Sequence, residues 1–236
     1  MSTPSLLLRT MYVLDSCGRI VSTREPGPTH GPLFTLVRGA TQRAWAIRAD
    51  LPASMARELD AYASNEPPEA WSSARPAHAS HYLRLLQPLL GARRSQSSPT
   101  ITGGPAFDFP CDLECPDSVG RATDEARLSI NFTGWVAGEI EEGRGPVMAI
   151  HRNGIPVSIC FCARSGDEAA EAGVETAATF RRLGLAKLVT AAWACAVRAS
   201  GRIPLYSTSW ENSASIGLAR SLTLVQYAAH WSVGVG

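Results

Sequence analysis

Residues 173–187 read GVETAATFRRLGLAK, and this stretch decides the fold. It predicts a short apolar strand, a loop with two arginines and one glycine, and then a helix. Apolar side chains recur every three or four residues from Leu185 to Ala196, which is typical of a helix packed on a sheet. The loop therefore stands at a helix N-terminus, where free backbone N–H groups and the helix dipole favour a diphosphate. Arg181 and Arg182 add positive charge there.

This loop resembles the coenzyme A loop of the GNAT superfamily of N-acetyltransferases, which reads Arg/Gln-x-x-Gly-x-Gly/Ala. Here the three positions are Arg181, Gly184 and Ala186, and they follow a strand predicted over residues 174–178. In the family the backbone of that strand pairs with the pantetheine arm of the cofactor. The resemblance implies that acetyl-CoA is the cosubstrate and that no metal is needed.

The order of elements after the loop also resembles the family. Residues 204–210 predict the next strand, and residues 212–219 predict the next helix. The resemblance covers roughly residues 105–236, and it is strongest with the branch in which a catalytic C-terminal half follows a divergent N-terminal half.

The resemblance implies an α+β fold, with a mixed, mostly antiparallel central sheet flanked by helices and a smaller α/β N-terminal half. The polar, turn-rich residues 91–100 predict a boundary between residues 1–100 and residues 101–236. The N-terminal half predicts one hairpin and two helices: strands over 33–37 and 43–48, and helices over 51–62 and 80–90.

The catalytic half predicts a helix over 125–140 and a hairpin of strands 147–152 and 155–162, joined by the Asn153-Gly154 turn. After the helix that begins near residue 212, the chain has room for only one more strand. We therefore expect a strand of the N-terminal half to complete the sheet.

The resemblance also assigns the residues that bind the cofactor. We expect the strand end to hold the pantetheine arm, the loop to hold the diphosphate, and the later helix to contribute its first residues. These cofactor-binding residues are Thr176, Ala177, Ala178, Arg181, Arg182, Leu183, Gly184, Leu185, Ala186, Asn212 and Ser215.

Acyl transfer in this family is the direct attack of an amine on a thioester, so positioning supplies much of the catalysis. Glu175, between the strand and the loop, is the predicted general base, and the N–H near Ala177 is expected to polarise the thioester. Pairing of Glu175 with the loop arginines is the structural alternative. Where the family often has a tyrosine acid, this chain has Ala219, so Tyr206 and Ser215 are the predicted substitutes.

The composition excludes several classes of partner. The chain has 236 residues, 45% of them hydrophobic, and a net charge of +1, which offers no field for nucleic acid or an acidic membrane. Residues 1–9 lack the basic start of a signal peptide, and no apolar run approaches the roughly 18 residues of a membrane span. We expect a soluble, cytoplasmic monomer or homodimer.

Six cysteines are too few for a disulfide scaffold in a chain of this size. Cys160, Cys162 and Cys195 lie in predicted apolar elements, which favours buried thiols. Cys111-x-x-x-Cys115 has the spacing of half a metal site, although no second pair lies nearby.

Taken together, these features predict an N-acetyltransferase that acts on a primary amine of a small molecule. Two alternatives stay open. One is a regulator that binds acyl-CoA without turnover, which the missing tyrosine favours. The other is an acyltransferase that modifies a protein N-terminus or uses a different acyl-CoA.

Overall fold

The structure, a computed structural model, describes residues 2–27, 29–67, 79–92 and 99–235. Within these ranges the helices are α1 (Pro4–Met11), α2 (Ala53–Ser64), α3 (Ala79–Ala92), α4 (Glu125–Asn131), α5 (Leu185–Ala199) and α6 (Ser213–Ser221). The strands are β1 (Tyr12–Leu14), β2 (Ile20–Thr23), β3 (Phe34–Gly39), β4 (Arg43–Ile47), β5 (Pro99–Asp108), β6 (Gly120–Arg121), β7 (Met148–Arg152), β8 (Ile155–Ser165), β9 (Ala169–Thr176), β10 (Ile203–Ser207) and β11 (Val225–Val235).

Nine of these strands form one sheet in the order β4-β3-β11-β5-β10-β9-β8-β7-β6, and β1 and β2 form a separate pair. Neighbours in the sheet are antiparallel except β9 and β10, which are parallel. The predicted α+β fold with a mixed, mostly antiparallel sheet is confirmed.

A strand from the N-terminal half completes the sheet, as the sequence predicts. β11 pairs with β3 from Val233 opposite Phe34 to Ala228 opposite Gly39, and its other edge pairs with β5. β5 begins at Pro99, so it takes up the end of the predicted boundary segment. Residues 93–98 of that segment lie outside the described residues.

Helices cover both faces of the sheet. Successive residues of a strand point to opposite faces of the sheet, so adjacent residues of β8 show which helix covers each face. Cys160 packs with α5, whereas Ile159 packs with α4. On β3, Val37 packs with α1, and Leu36 packs with α2 and α3. The sheet therefore has an α5 face, which α2 and α3 share, and an α1 face, which α4 shares.

The predicted helix over 125–140 is wrong in its second half. α4 ends at Asn131, and a π-helical turn follows at Ile140–Arg144. Gly138 adopts a φ of 95°, which a continuing helix does not allow. The Glu125 carboxylate accepts hydrogen bonds from the N–H groups of Gly138, at 2.6 Å, and Ile140, at 2.8 Å, so the chain folds back on the start of α4.

The cysteine prediction is correct for two residues and wrong for a third. Cys160 and Cys162 are buried thiols. Cys195, however, forms a disulfide with Cys115, with their Cα atoms 6.0 Å apart. The bond joins α5 to the loop before β6, and it removes Cys115 from any metal site with Cys111. Within the described ranges, no helix combines the length and apolarity of a membrane span.

Candidate functional site

The candidate site begins where the two parallel strands separate. β9 and β10 pair only from Ala169 opposite Ile203 to Glu171 opposite Leu205. β9 then continues to Thr176 without this partner. The result is a V-shaped gap in the middle of the sheet, closed at Glu171 and open toward the loop after β9.

The β9 side of the gap offers free backbone N–H groups. Hydrogen bonds along an antiparallel strand alternate between its two edges. Ala177 donates its N–H to the Val157 carbonyl at 2.9 Å, and the β8–β9 register is regular back to residue 172. The N–H groups of Val174 and Thr176 therefore point into the gap. The expected role of the Ala177 N–H in polarising a thioester is wrong, because that N–H is already bonded.

The open end of the gap leads to the N-terminus of α5. A single 3-10 turn, Ala178–Phe180, follows β9, and the chain reverses through positive φ angles at Arg182 (63°) and Gly184 (76°). Gly184 precedes the first residue of α5, and no side chain of the described residues caps the helix. Apart from Gly184 and its chain neighbours, no atom of the described residues lies within 4 Å of the point where a Gly184 Cβ would stand. The loop thus presents uncovered N–H groups to open space.

The predicted loop residues are brought together, and most of them face solvent. Arg181, Arg182, Leu183 and Gly184 are exposed, whereas Leu185 is buried and anchors the helix. The Arg181 side chain donates a hydrogen bond to the Thr176 carbonyl at 3.2 Å, which ties the loop to the end of β9.

Tyr206 and Ser215 form a hydroxyl pair on the α5 face of the gap. Their oxygens lie 2.5 Å apart, and Tyr206 is the residue of β10 directly after the last one paired with β9. Burial raises the pKa of Tyr206 to about 12, although the Ser215 hydrogen bond opposes the shift. Tyr206 therefore stays protonated at neutral pH. Asn212 caps α6 by accepting a hydrogen bond from the Ser215 N–H at 3.0 Å.

Glu175 is exposed, on the α1 face of β9 and close to the open end of the gap. In the part of the chain that the structure describes, its carboxylate has no ion pair with Arg181 or Arg182. Pairing of Glu175 with the loop arginines, the structural alternative to a role as general base, is thus not observed.

A cavity of about 380 Å³ lies on the α1 face at the closed end of the gap. Ala172 and Ser207, which line it, stand just beyond the last paired positions of β9 and β10. Both halves of the chain contribute its walls: Met11, Tyr12, Thr23, Pro32, Thr102, Gly103, Ala163, Arg164, Glu171, Ala172, Ser207, Thr208, Ser209, His230 and Ser232.

Glu171 is the buried carboxylate of this cavity, with 2% of its surface exposed. It accepts hydrogen bonds from Arg164, at 2.7 Å, and from the Ser207 hydroxyl. Burial alone would raise the pKa of Glu171, but the charge of Arg164 and these hydrogen bonds lower it below its usual value. Glu171 is therefore ionised at neutral pH.

His230 lies on β11 with 8% of its surface exposed, and its buried Nδ1 has no hydrogen-bond partner among the residues that the structure describes. Burial lowers the pKa of His230 to about 4, although the charge of Glu171 opposes the shift. The imidazole is therefore neutral at pH 7. A buried polar atom without a partner lowers the stability of the fold.

Sequence reasoning missed both cavity residues. Each carried a weak signal: Glu171 interrupts the small apolar run Ala-Ala-Glu-Ala-Gly, and His230 interrupts an apolar stretch of β11. Among the described residues, no three His, Cys, Asp or Glu side chains come together as a metal site.

Comparison with known proteins supports the assignment that the fold and the gap suggest. Residues 120–229 match the family described as GNAT acetyltransferase. The matched region contains the gap, the loop and the pair Tyr206 and Ser215. Residues 120–229 thus correspond to a GNAT acetyltransferase domain, and the proteins of that family are acyltransferases. No curated protein matches the chain in sequence.

Solved structures with the same fold are distant in sequence. A Drosophila protein has a TM-score of 0.51 at 10% identity, covering 91% of this chain and 78% of that chain. A GCN5-related N-acetyltransferase-like protein from Streptococcus suis has a TM-score of 0.48 at 17% identity, covering 87% and 85%. A GCN5-related N-acetyltransferase from Sphaerobacter thermophilus has a TM-score of 0.45 at 12% identity, covering 89% and 84%.

Proposed function

We propose that this protein is an N-acetyltransferase that transfers the acetyl group of acetyl-CoA to a primary amine of a small molecule. The observation that carries the proposal is the gap between β9 and β10, which opens directly onto the uncapped N-terminus of α5. An anion at that terminus and an extended chain along the edge of β9 match the diphosphate and the pantetheine arm of coenzyme A.

The two ends of the cofactor then fix where the chemistry occurs. The diphosphate lies at the loop of residues 181–186, and the thioester is at the far end of the pantetheine arm. The arm runs past the Thr176 N–H toward the closed end of the gap, and the thioester carbonyl reaches the Val174 N–H. The thioester carbonyl therefore comes to lie near Ala172 and Ser207, with the cavity on its α1 face.

The reaction is a direct displacement. The amine nitrogen attacks the thioester carbon, the C–S bond breaks, and an amide and a coenzyme A thiolate form. The Val174 N–H is the donor that stabilises the developing oxyanion. Tyr206, protonated because burial raises its pKa to about 12, gives its proton to the thiolate, and Ser215 assists through the shared hydrogen bond.

The amine must lose a proton before or during attack, and β9 carries two carboxylates on the face from which it approaches. Glu175 is the residue that the sequence predicts. It stands four residues from Glu171, or about 13 Å along the strand, so only one of the two can contact the reacting amine. Because the thioester is placed at the closed end of the gap, Glu171 is the carboxylate nearer to the reacting amine and is favoured as the general base. Glu175 then lies beside the pantetheine arm.

Coenzyme A binding tests the donor site. A ligand present at about 100 times its Kd stabilises the fold by roughly 2.7 kcal/mol, so coenzyme A should raise the melting temperature. Gly184→Glu should abolish the shift, because it places a negative charge where the phosphates approach. Gly201→Glu is the matched control: Gly201 has a φ of 80°, is surrounded by open space and lies just beyond the other end of α5.

The outcomes separate the possibilities. No shift in the wild-type protein at millimolar coenzyme A would refute the donor site. Equal loss of the shift in both glycine variants would assign the loss to backbone strain rather than to the phosphate site. A shift without acetylation of any amine, followed by mass spectrometry, would favour a regulator that binds acyl-CoA without turnover, which is the class that the alanine at position 219 suggests.

A further inference from the structure

The Glu171 carboxylate is closed to direct contact with an acceptor amine. It has 2% of its surface exposed, and both of its oxygens accept hydrogen bonds: Oε1 from the Ser207 hydroxyl, and Oε2 from Arg164 at 2.7 Å. Arg164 also donates to Glu25, so its guanidinium is held from two sides. A carboxylate enclosed in this way can take a proton only through a group that is already bonded to it.

The Ser207 hydroxyl is the one of these two groups that can carry a proton. Ser207 is half-buried, and it lines the cavity on the α1 face. It stands two residues after Leu205, the β10 residue that pairs with Glu171, so it lies at the closed end of the gap. Burial lowers the pKa of Arg164, but the two carboxylates raise it further, so the guanidinium keeps its protons.

The hydrogen bond to Glu171 sets the direction of the Ser207 hydroxyl. Its single proton points to the carboxylate, so its lone pairs are left for a donor on another side. The negative charge of Glu171 also polarises the O–H bond, which makes the oxygen a better acceptor. An amine that enters the cavity can therefore donate an N–H to Ser207, although it cannot reach Glu171.

We propose that Ser207 is a catalytic residue that relays a proton from the acceptor amine to Glu171. This inference rests on the proposed function, since it takes the thioester to lie at the closed end of the gap. Glu171 is then a positioning residue that orients the hydroxyl and takes up its proton, and Glu175 has no part in the relay.

The protons balance in one step. The amine attacks as a neutral nitrogen, so the nitrogen of the tetrahedral adduct carries one excess proton. That proton moves to Oγ of Ser207 while the hydroxyl proton moves to Oε1 of Glu171. The serine is unchanged at the end, and the carboxylate has become a carboxylic acid. The proton returns to solvent through the same hydroxyl after the amide leaves.

The test uses the full-length protein with acetyl-CoA and a panel of primary amines: ethanolamine, glucosamine, spermidine, tyramine and lysine. Release of coenzyme A thiol gives kcat and KM, and the amine with the highest kcat/KM is used for the variants. Ser207→Ala should lower kcat by about 100-fold with KM near the wild-type value, because it removes the proton carrier and only one atom of the cavity wall. Ser207→Thr keeps a hydroxyl and should recover most of the loss.

Ser165→Ala is the matched control. Ser165 is also a half-buried serine whose hydroxyl bonds to a charged side chain, that of Arg202, but it is not among the described residues that line the cavity. Its loss should leave kcat and KM near wild type. Equal losses of kcat in Ser165→Ala and Ser207→Ala would assign both to a general loosening of the sheet and would overturn the relay.

A double variant tests whether Ser207 acts through Glu171. If the hydroxyl serves only to pass the proton to the carboxylate, Ser207→Ala combined with Glu171→Gln should lower kcat no further than the larger of the two single losses. Independent roles would multiply the two losses and would contradict the relay. If Glu171→Gln does not fold, the comparison of alanine and threonine at position 207 still decides.

The melting shift with coenzyme A keeps the two proposals apart, and its presence shows that a variant folds. Loss of the shift in the wild-type protein refutes the donor site. A normal shift without acetylation of any amine in the panel refutes the relay together with the enzyme activity. Acetylation by Ser207→Ala at the wild-type kcat, or a Ser207→Thr variant as slow as Ser207→Ala, overturns the relay and leaves the proposed N-acetyltransferase standing.

Discussion

Breaking the disulfide between Cys115 and Cys195 should cost this protein much of its stability. The two cysteines are 80 residues apart in the sequence, and their bond joins an exposed loop to the third turn of α5. A cross-link of this span stabilises the folded state mainly by restricting the unfolded chain. Because α5 carries the proposed diphosphate site at its N-terminus, breaking the disulfide also tests whether that helix keeps its position without the cross-link.

The size of the effect follows from the length of the closed loop. For a loop of 80 residues, the chain-entropy relation gives about 4.5 kcal/mol at 25 °C, as an upper value. In a chain of this length, 1 kcal/mol corresponds to about 2–4 °C in melting temperature. Reduction should therefore lower the melting temperature by roughly 10–15 °C.

The assay is thermal unfolding with and without dithiothreitol, for the wild-type protein and for Cys115→Ser. The variant should melt at the temperature of the reduced wild-type protein and should be insensitive to reductant. Cys111→Ser is the matched control, because Cys111 is exposed, is not in a disulfide and lies only four residues from Cys115. Peptide mapping without reduction should identify the linked pair.

Two results would refute this reasoning. One is an identical melting temperature in both conditions together with six reactive thiols after unfolding, which would mean that the bond does not form. The other is loss of the coenzyme A shift on reduction. We expect the shift to survive, because Val189 and Trp193 bury α5 in the core independently of the cross-link.

Three further predictions concern pH, the carboxylates of β9 and the N-terminal half. The pKa of His230 is about 4 in the folded protein and near 6.5 in the unfolded chain, so the free energy of unfolding should fall by about 3 kcal/mol as the pH drops from 6.5 to 4, and the low pKa of Glu171 adds a further loss below that range. Urea unfolding at pH 7 and pH 4.5 measures this loss, and His230→Asn should make the stability less dependent on pH. Glu175→Gln should lower kcat by about 10²- to 10⁴-fold if Glu175 is the general base, whereas Glu171→Gln should cause that loss if the amine reacts at the closed end of the gap. Measuring kcat for both variants decides which carboxylate is the base. A chain starting at Thr100 should be unfolded or insoluble by circular dichroism and gel filtration, because it leaves the β3 edge of β11 uncovered; a folded, active fragment would contradict this.

The strand, loop and helix of the proposed donor site could be predicted because they are local in sequence. Strand, loop and helix follow one another within residues 173–187, and each has its own chemical signature. What the sequence missed there is the direction of backbone groups. Whether the N–H of Ala177 or of Val174 faces the gap depends on the β8–β9 register, and a shift of one residue exchanges the two.

The cavity on the α1 face could not be predicted, because long-range pairing assembles it. Ser207 is 36 residues from the Glu171 that it contacts, Glu25 is 139 residues from Arg164, and Tyr12 is 220 residues from Ser232. No local pattern relates such residues; only the sheet order brings them to one cavity. For the same reason a substitution on β1 or β2 can reshape this cavity without touching the loop of residues 181–186, because Tyr12 and Thr23 line the cavity and lie far from that loop in the sequence.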